Sequence, residues 1–227
     1  MAKIIGEDTT NTTPAESENL LELKEWHYFT SAVYSVTHTD FLKDINKISR
    51  EYVNRTKKGI KLNEIYPVYM GDNMSADPRL SDFTNFIKAT ASNILMSQGY
   101  NMQMLEVIFH ELWAQEHYKF SGQEQHIHGG SHITGFYFLD VPDDAPRVVF
   151  HDPRSAKVYS NLPESNPAQA TYGSTMINFL PIPGTFIFTN SWLPHSFLKN
   201  PSAKPFRFIH FNLGVAMKLD TTQPTVV

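Results

Sequence analysis

The chain has 227 residues, 41% hydrophobic and 13% aromatic, with 19 basic against 23 acidic side chains, a formal net charge of -4 and no cysteine. That length buries one good core without requiring a second domain, and the missing cysteines exclude disulfides, thiolate nucleophiles and cysteine-ligated zinc or iron–sulfur sites. There is no dense Lys/Arg patch of the kind a dedicated nucleic-acid surface carries. No apolar run reaches the length of a secretory core or a bilayer span, so a soluble, cytoplasmic protein is expected.

Residues 1–20 are rich in Thr, Asn, Glu and Ser and read as a flexible N-terminal arm with a short strand at "KII". Residues 21–227 read as a single domain, with helical support over about 38–100 and a β core over about 103–218. The aromatic stretch "ENLLELKEWHYFTSAVYSV" reads as strand or sheet edge. From Thr39 to Val53, Phe41, Leu42, Ile45, Ile48 and Tyr52 recur at helical spacing behind a cap at Thr39 or Asp40. "PRLSDFTNFIKATASNILMSQGY" repeats the pattern with Leu80, Phe83, Phe86, Ile87, Ala91 and Ile94 before Gly99. Two amphipathic helices thus precede the main body and buttress one side of a sheet.

From Gln103 the period changes to two. "QMLEVIFHELWAQ" alternates as a strand, and further strands are expected at "EQHIH", "SHITGFYFLD", "PRVVFHD", "AKVY", "STMINFLP", "GTFIFTN", "LPHSFL" and "PFRFIHFNLGV". Many short strands divided by Pro, Gly and Asn turns point to an antiparallel sandwich or barrel. Residues 160–173, "SNLPESNPAQATYG", are a loop positioned to cover an open site.

The chemistry gathers in "QEQHIHGGSH", with His126, His128 and His132. Residues two apart on a strand share a face, so His126 and His128 converge on one metal without distortion. Neutral imidazoles suit Fe(II), Zn, Cu and Ni, so the spacing alone does not select iron. A jelly roll sets early strands beside late ones, which lets His195 of "SWLPHSF" complete the site. Arg207 of "KPFRFIHFNL" is then placed to pair with a small dicarboxylate beside the metal; its bland role is an arginine paired across the sheet.

The ordered combination of "HIHGGSHITGFYFLDVP", "VVFHDPR" and "PGTFIFTNSWLPHSFLKNPSAKPFRFIHFN" resembles the 2-oxoglutarate and Fe(II)-dependent oxygenase family related to prolyl hydroxylases, with members in marine bacteria and their phages. The resemblance spans roughly residues 104–214. It implies a mainly β fold, a double-stranded β-helix (jelly-roll, cupin-like barrel) with N-terminal supporting helices. It also implies a ferrous ion, 2-oxoglutarate and dioxygen as cosubstrates, and Arg207 at the remote carboxylate of 2-oxoglutarate. The usual metal triad of that family is His-X-Asp or His-X-Glu with a distant His, whereas this chain has histidine at both ends of "HIH". Two ligand sets follow: His126, His128 and His195 together, or a set in which one early histidine stands back and Asp152 or another carboxylate approaches.

Around that site Tyr137 and Asn178 are candidates to donate to the same carboxylate, against plain packing and edge capping. His132 stands where a cupin pattern often has Glu, and otherwise reads as a loop histidine that touches substrate. Asp152 and Arg154 form either a turn salt bridge or part of the substrate entrance, and Trp192 either a pocket wall or surface packing. Alternation places His110 and Glu111 on opposite faces, and sets His210, three residues from Arg207, away from the cosubstrate. The expected substrate is a peptide or protein side chain, such as proline, or a small molecule, and exposed edge strands would support a homodimer. The rivals are a cupin-like metalloenzyme that does not use 2-oxoglutarate and a noncatalytic jelly-roll binding protein.

Overall fold

The computed structural model describes residues 23–218. The chain divides into two compact units, residues 1–30 and 31–227. Of the first, residues 23–30 are exposed chain with neither helix nor strand; the arm expected over 1–20 and its strand at "KII" lie outside the described residues.

In the second unit a 3-10 turn, Thr39–Phe41, feeds helix α1, Leu42–Gly59, which buries Ile45, Ile48 and Val53 on one face and carries Lys57 and Lys58 in its last turn. The two lysines complement the negative end of the helix dipole. A second 3-10 turn, Pro78–Leu80, has an Asp77 cap whose carboxylate accepts the Arg79 N–H, and it opens helix α2, Ser81–Ser97. Phe83, Ile87, Ala91 and Ile94 of α2 are buried, as their spacing requires of an amphipathic helix.

Ten strands follow the period-two pattern. They are β1 (Val33–Thr37), β2 (Val68–Met70), β3 (Leu105–His117), β4 (Gln123–His126), β5 (Ile133–Asp140), β6 (Val148–His151), β7 (Met176–Phe179), β8 (Thr185–Asn190), β9 (His195–Phe197) and β10 (Phe206–Met217) among the described residues. Six form one sheet in the order β1-β8-β5-β10-β3-β2, and four form another in the order β4-β9-β6-β7. All the pairings are antiparallel.

Two expectations are corrected here. The mainly β class and the supporting helices hold, but the cupin-like barrel does not form. No strand belongs to both sheets, and β1, β2, β4 and β7 remain as edges. The sheets meet through side chains rather than through a continuous hydrogen-bonded ladder, which closure would demand. The strand expected at "AKVY" is instead a 3-10 helix, Ser155–Ser160. There Lys157 is drawn inward, its ammonium donating to Gly173 O and Ser174 O and lying 3.3 Å from Asp152, so the segment coils around those contacts instead of extending.

The larger sheet separates two cores. On its helix side Tyr137, Phe186, Phe188, Ile209, Phe211 and Leu213 pack with Ile45, Phe83 and Ile87. On its other side Phe136, Phe138, Phe206 and Phe208 meet Val148, Phe150 and Phe197 of the smaller sheet. Alternate residues of β5, β8 and β10 therefore serve different cores. Gly135 permits the close fit on the helix side, because a Cβ there would stand 2.3 Å from Ile187 O and 2.4 Å from the Phe211 ring.

A candidate histidine metal centre

His195 sits at the middle of the smaller sheet, paired with His126 of β4 on one side and with Phe150 of β6 on the other. Its side chain is fully buried. The chain leaves β4 at His126, so His128 lies beyond the strand and not two places along it. A stapled loop holds it instead. His128 N–H donates to Ser191 O (2.9 Å), Ser191 N–H to His132 O (3.0 Å) and His132 N–H to Leu213 O (2.7 Å). Ser191 Oγ also donates to Ser131 O. Gly130, at φ +81, makes the left-handed bend this loop needs.

One ligand atom from each of His126, His128 and His195 lies within 4.8 Å of the others. The tautomers are set by backbone carbonyls, which only accept: His126 Nδ1–H donates to Glu124 O (2.7 Å) and His195 Nδ1–H to Leu193 O (3.0 Å). Their Nε2 lone pairs are left free. His128 Nε2 stands 3.2 Å from His195 Nε2. Imidazole nitrogens bound side by side on one ion, each about 2.0–2.1 Å from it, stand about 3 Å apart, so the spacing fits a shared metal. Burial drives the His195 pKa down to about 3, and burial together with the charge of His126 lowers His128 to about 4. Both rings are thus neutral near pH 7, the state a metal requires.

A further imidazole faces the cluster. His210 is buried, its Nε2 is 3.3 Å from His128 Nε2, and its Nδ1 has no partner. Asn212 Nδ2 lies 3.1 Å from His128 Nδ1 and donates to Glu111 Oε2 at 2.8 Å, while Asn212 Oδ1 is buried without a partner. A His128 that ligates through Nε2 carries its proton on Nδ1, and Asn212 Oδ1 is the acceptor that a turn of the amide brings to it. Sequence alternation had separated His110 from Glu111. A β-bulge intervenes, since Asn212 pairs with Glu111 and Leu213 with Phe109, leaving His110 unpaired in the ladder. His110 Nδ1 consequently reaches Ser131 Oγ at 3.0 Å, and both side chains serve the same rim.

The family described as "Putative 2OG-Fe(II) oxygenase" matches residues 111–212, the stretch that carries these histidines. Over that stretch, less than half of the chain, the sequence is similar to the 2OG-Fe(II) oxygenase family. No curated protein matches the sequence. Among solved structures the oxygenase fold is similar to AviO1 from Streptomyces viridochromogenes Tue57, with TM-score 0.58, 11% identity, and 86% of this chain and 92% of that one covered. It is also similar to a Pseudomonas putida prolyl-4-hydroxylase, with TM-score 0.54, 10% identity, and coverage of 82% and 93%. A third likeness is to the viral collagen prolyl hydroxylase of Paramecium Bursaria Chlorella virus-1, with TM-score 0.50, 15% identity, and coverage of 82% and 96%. At these identities the likeness is one of fold.

The three residues expected to hold 2-oxoglutarate point elsewhere. Arg207 is buried on the helix side of the larger sheet, its Nη2 donating to Asp140 Oδ2 and to Asn46 Oδ1 of α1. Burial lowers its pKa and the Asp140 charge pulls it back up. Tyr137 lies in the same helix-side core and its hydroxyl donates to His38 O at 2.9 Å. Asn178 Oδ1 accepts from Arg147 Nη1 at 2.9 Å. The physical reason is strand phase: Arg207 and Tyr137 occupy positions one step out of register with the residues that face the histidines. His210 is out of phase with Arg207, as expected, and faces the histidine cluster on the opposite side of the sheet.

The remaining candidates ring the site. Asp152 is engaged by Arg154 through Nε (2.9 Å) and Nη2 (2.8 Å), which holds its carboxyl well below the usual range. It is a turn ion pair and is not among the clustered ligands. His132 is exposed and contributes its backbone to the stapled loop. Trp192 is 46% exposed and Ile127 54%, so apolar side chains follow directly on the residues that fix His128. Among the described residues no helix is long and apolar enough to cross a membrane.

Proposed function

We propose that this chain is a mononuclear Fe(II)-dependent oxygenase, with iron held by His126, His128 and His195, that hydroxylates a side chain of a peptide or protein. The observation that carries this is the convergence of three imidazoles, two of them held neutral by burial, within a region of the oxygenase family. In such enzymes the iron supplies the dioxygen chemistry. The electrons come from a 2-oxo acid: one oxygen atom enters the C–H bond of the substrate, and the other enters the acid, which leaves as CO2 and the next shorter carboxylate.

The chain's own part is to bind, orient and exclude. Glu124 O and Leu193 O fix the rotation of His126 and His195, so the ligands meet the metal without reorganisation. Phe136 and Phe150 pack on His195 at ring distances of 5.5 and 6.0 Å, which keeps water from its buried side. His126 and His128 are only partly buried, so the open side of the centre lies along "HIH", beside Ile127 and Trp192. An apolar rim next to an open metal edge suits a polypeptide laid across the mouth. The fold likeness to a prolyl-4-hydroxylase favours the same substrate class.

The test is anaerobic titration with Co(II), read by its visible bands, followed by measurement of O2 and 2-oxo acid consumption in the Fe(II) protein. One ion per chain, lost in His128→Ala and His195→Ala, is expected. Metal binding that survives both substitutions would falsify the assignment.

A further inference from the structure

We infer that the cosubstrate of this centre is a 2-oxo acid with an uncharged tail, not a dicarboxylate. The inference rests on the oxygenase reading above and concerns the site that reading assigns.

Strand β10 lies in the interior of the larger sheet, paired with β3 on one side and β5 on the other. Phe206 and Phe208 enter the core between the sheets, and His210 and Asn212 continue that face toward His128. Ile209, Phe211 and Leu213 enter the helix-side core. Arg207 shares the helix-side phase and is locked there by Asp140 and by Asn46 of α1, with Arg50 on the same Asp140 carboxylate at 2.8 Å. A register shift between Arg207 and Phe208 sets Arg207 directly opposite Asp140. A guanidinium in that position reaches the metal only by passing through its own strand, which hydrogen bonds close on both edges.

Among the described strands no Lys or Arg replaces it on the metal side, and the cations that follow β6, Arg154 and Lys157, are engaged by Asp152. The positions facing the smaller sheet are Glu111, Trp113, Gln115 and His117 on β3, Thr134, Phe136 and Phe138 on β5, and Phe206, Phe208, His210 and Asn212 on β10. The facing positions of the smaller sheet, from Phe150 and Val148 to His195 and Phe197, are likewise without Lys or Arg. A second carboxylate directed among these phenylalanines loses its hydration without gaining a counter-ion, which is strongly unfavourable, whereas a short hydrocarbon tail is favoured there. Polar atoms do remain for a single carboxylate. Trp113 Nε1 and His210 Nδ1 are buried without partners, on side chains that pair across the strands with ring centroids 4.5 Å apart.

The experiment is anaerobic titration of the Fe(II)-loaded full chain with 2-oxoglutarate, 2-oxobutyrate and 4-methyl-2-oxopentanoate, read by the visible metal-to-ligand charge-transfer band and by calorimetry, in the parent and in Arg207→Met. We expect an uncharged-tail acid to bind at least tenfold more tightly than 2-oxoglutarate. The ratio should be the same in Arg207→Met; if that variant does not fold, the parent's ratio decides. Binding of 2-oxoglutarate as tight as, or tighter than, both uncharged acids overturns the inference and leaves the oxygenase reading intact. No band with any 2-oxo acid on iron-replete protein sinks the oxygenase reading and the inference with it.

Discussion

Neighbouring residues of one strand, Arg207 and His210 of β10, end on opposite sides of the larger sheet. On the helix side Arg207 is enclosed with an ionised partner, a side-chain amide and the apolar face of α1. On the other side His210 and Asn212 reach His128 among aromatic rings, with His210 Nδ1 and Asn212 Oδ1 left without partners. The helix-side face balances its charge, because burying a charge is tolerable only beside its counter-charge, even though Arg207 Nε has no hydrogen-bond partner there. Both faces keep a buried polar atom without a partner; what distinguishes the second is the clustered ligand atoms of His126, His128 and His195. Charge in a motif therefore does not locate a site; the phase of the strand does.

The largest effect that could break this contrast is on the metal. His195→Ala should lower Co(II) affinity at least about 100-fold, or about 2.8 kcal/mol, in a titration of the visible bands, while helix and strand content by circular dichroism stays the same. Retained affinity would mean that the metal-side face carries no metal. Arg207→Met addresses the other face. Urea unfolding should show a loss of about 3 kcal/mol, the low end for breaking a buried pair, because Arg50 and Asn46 remain on Asp140. Its Co(II) affinity should be that of the parent. Unchanged stability with weakened ligand binding would place Arg207 on the metal side after all.

The pH dependence sharpens the same contrast. Burial lowers the His117 pKa from the ordinary 6.5 to about 4. Between those values the unfolded chain takes up a proton that the folded chain refuses, so this contribution is complete above about pH 6.5 and declines as the pH falls toward 4. In metal-free protein His117→Gln should flatten the dependence of unfolding free energy on pH across that window, by roughly 3 kcal/mol in total. An unaltered slope would show that His117 is not buried as a neutral ring. The smallest effect is expected from Asn212→Leu, which removes the amide packed against His128 and should cost about tenfold in Co(II) affinity with little change in stability.

Much of this was legible in the sequence. The helical spacing of Ile45 and Ile48, and of Phe83, Ile87 and Ala91, marks faces that α1 and α2 do bury, with Val53 rather than the expected Tyr52 completing the buried face of α1, because a period of 3.6 has one physical use in a helix of this length. "GFYFL" and "FRFIHF" read as core and are core. The histidines at 126, 128 and 195 were legible as a group, although the strand argument for His128 was wrong in detail: β4 ends at His126, and a loop bonded to Ser191 and Leu213 brings His128 in. His210 was missed as a neighbour of the metal. The spacing of Asn212 and His210, two apart and ahead of a bulge, is a signal only when the side on which the strand faces the metal is known. Short β2 lacked any pattern to find, since three residues cannot show a period.

By itself the sequence determined most of the element types, with "AKVY" and β2 as the exceptions, the cores and the chemistry available, since composition and periodicity act locally and leave their record in neighbouring residues. The tertiary structure alone decided that the two sheets stay open at their edges, that the bulge at His110 turns it and Glu111 to one rim, and that Arg207 faces α1 while His210 faces His128. Those outcomes depend on which edges meet and in what register. A shift of one residue in register exchanges the two faces of a strand without altering its hydrophobic pattern when both faces are buried, as they are along β10 from Phe206 to Leu213.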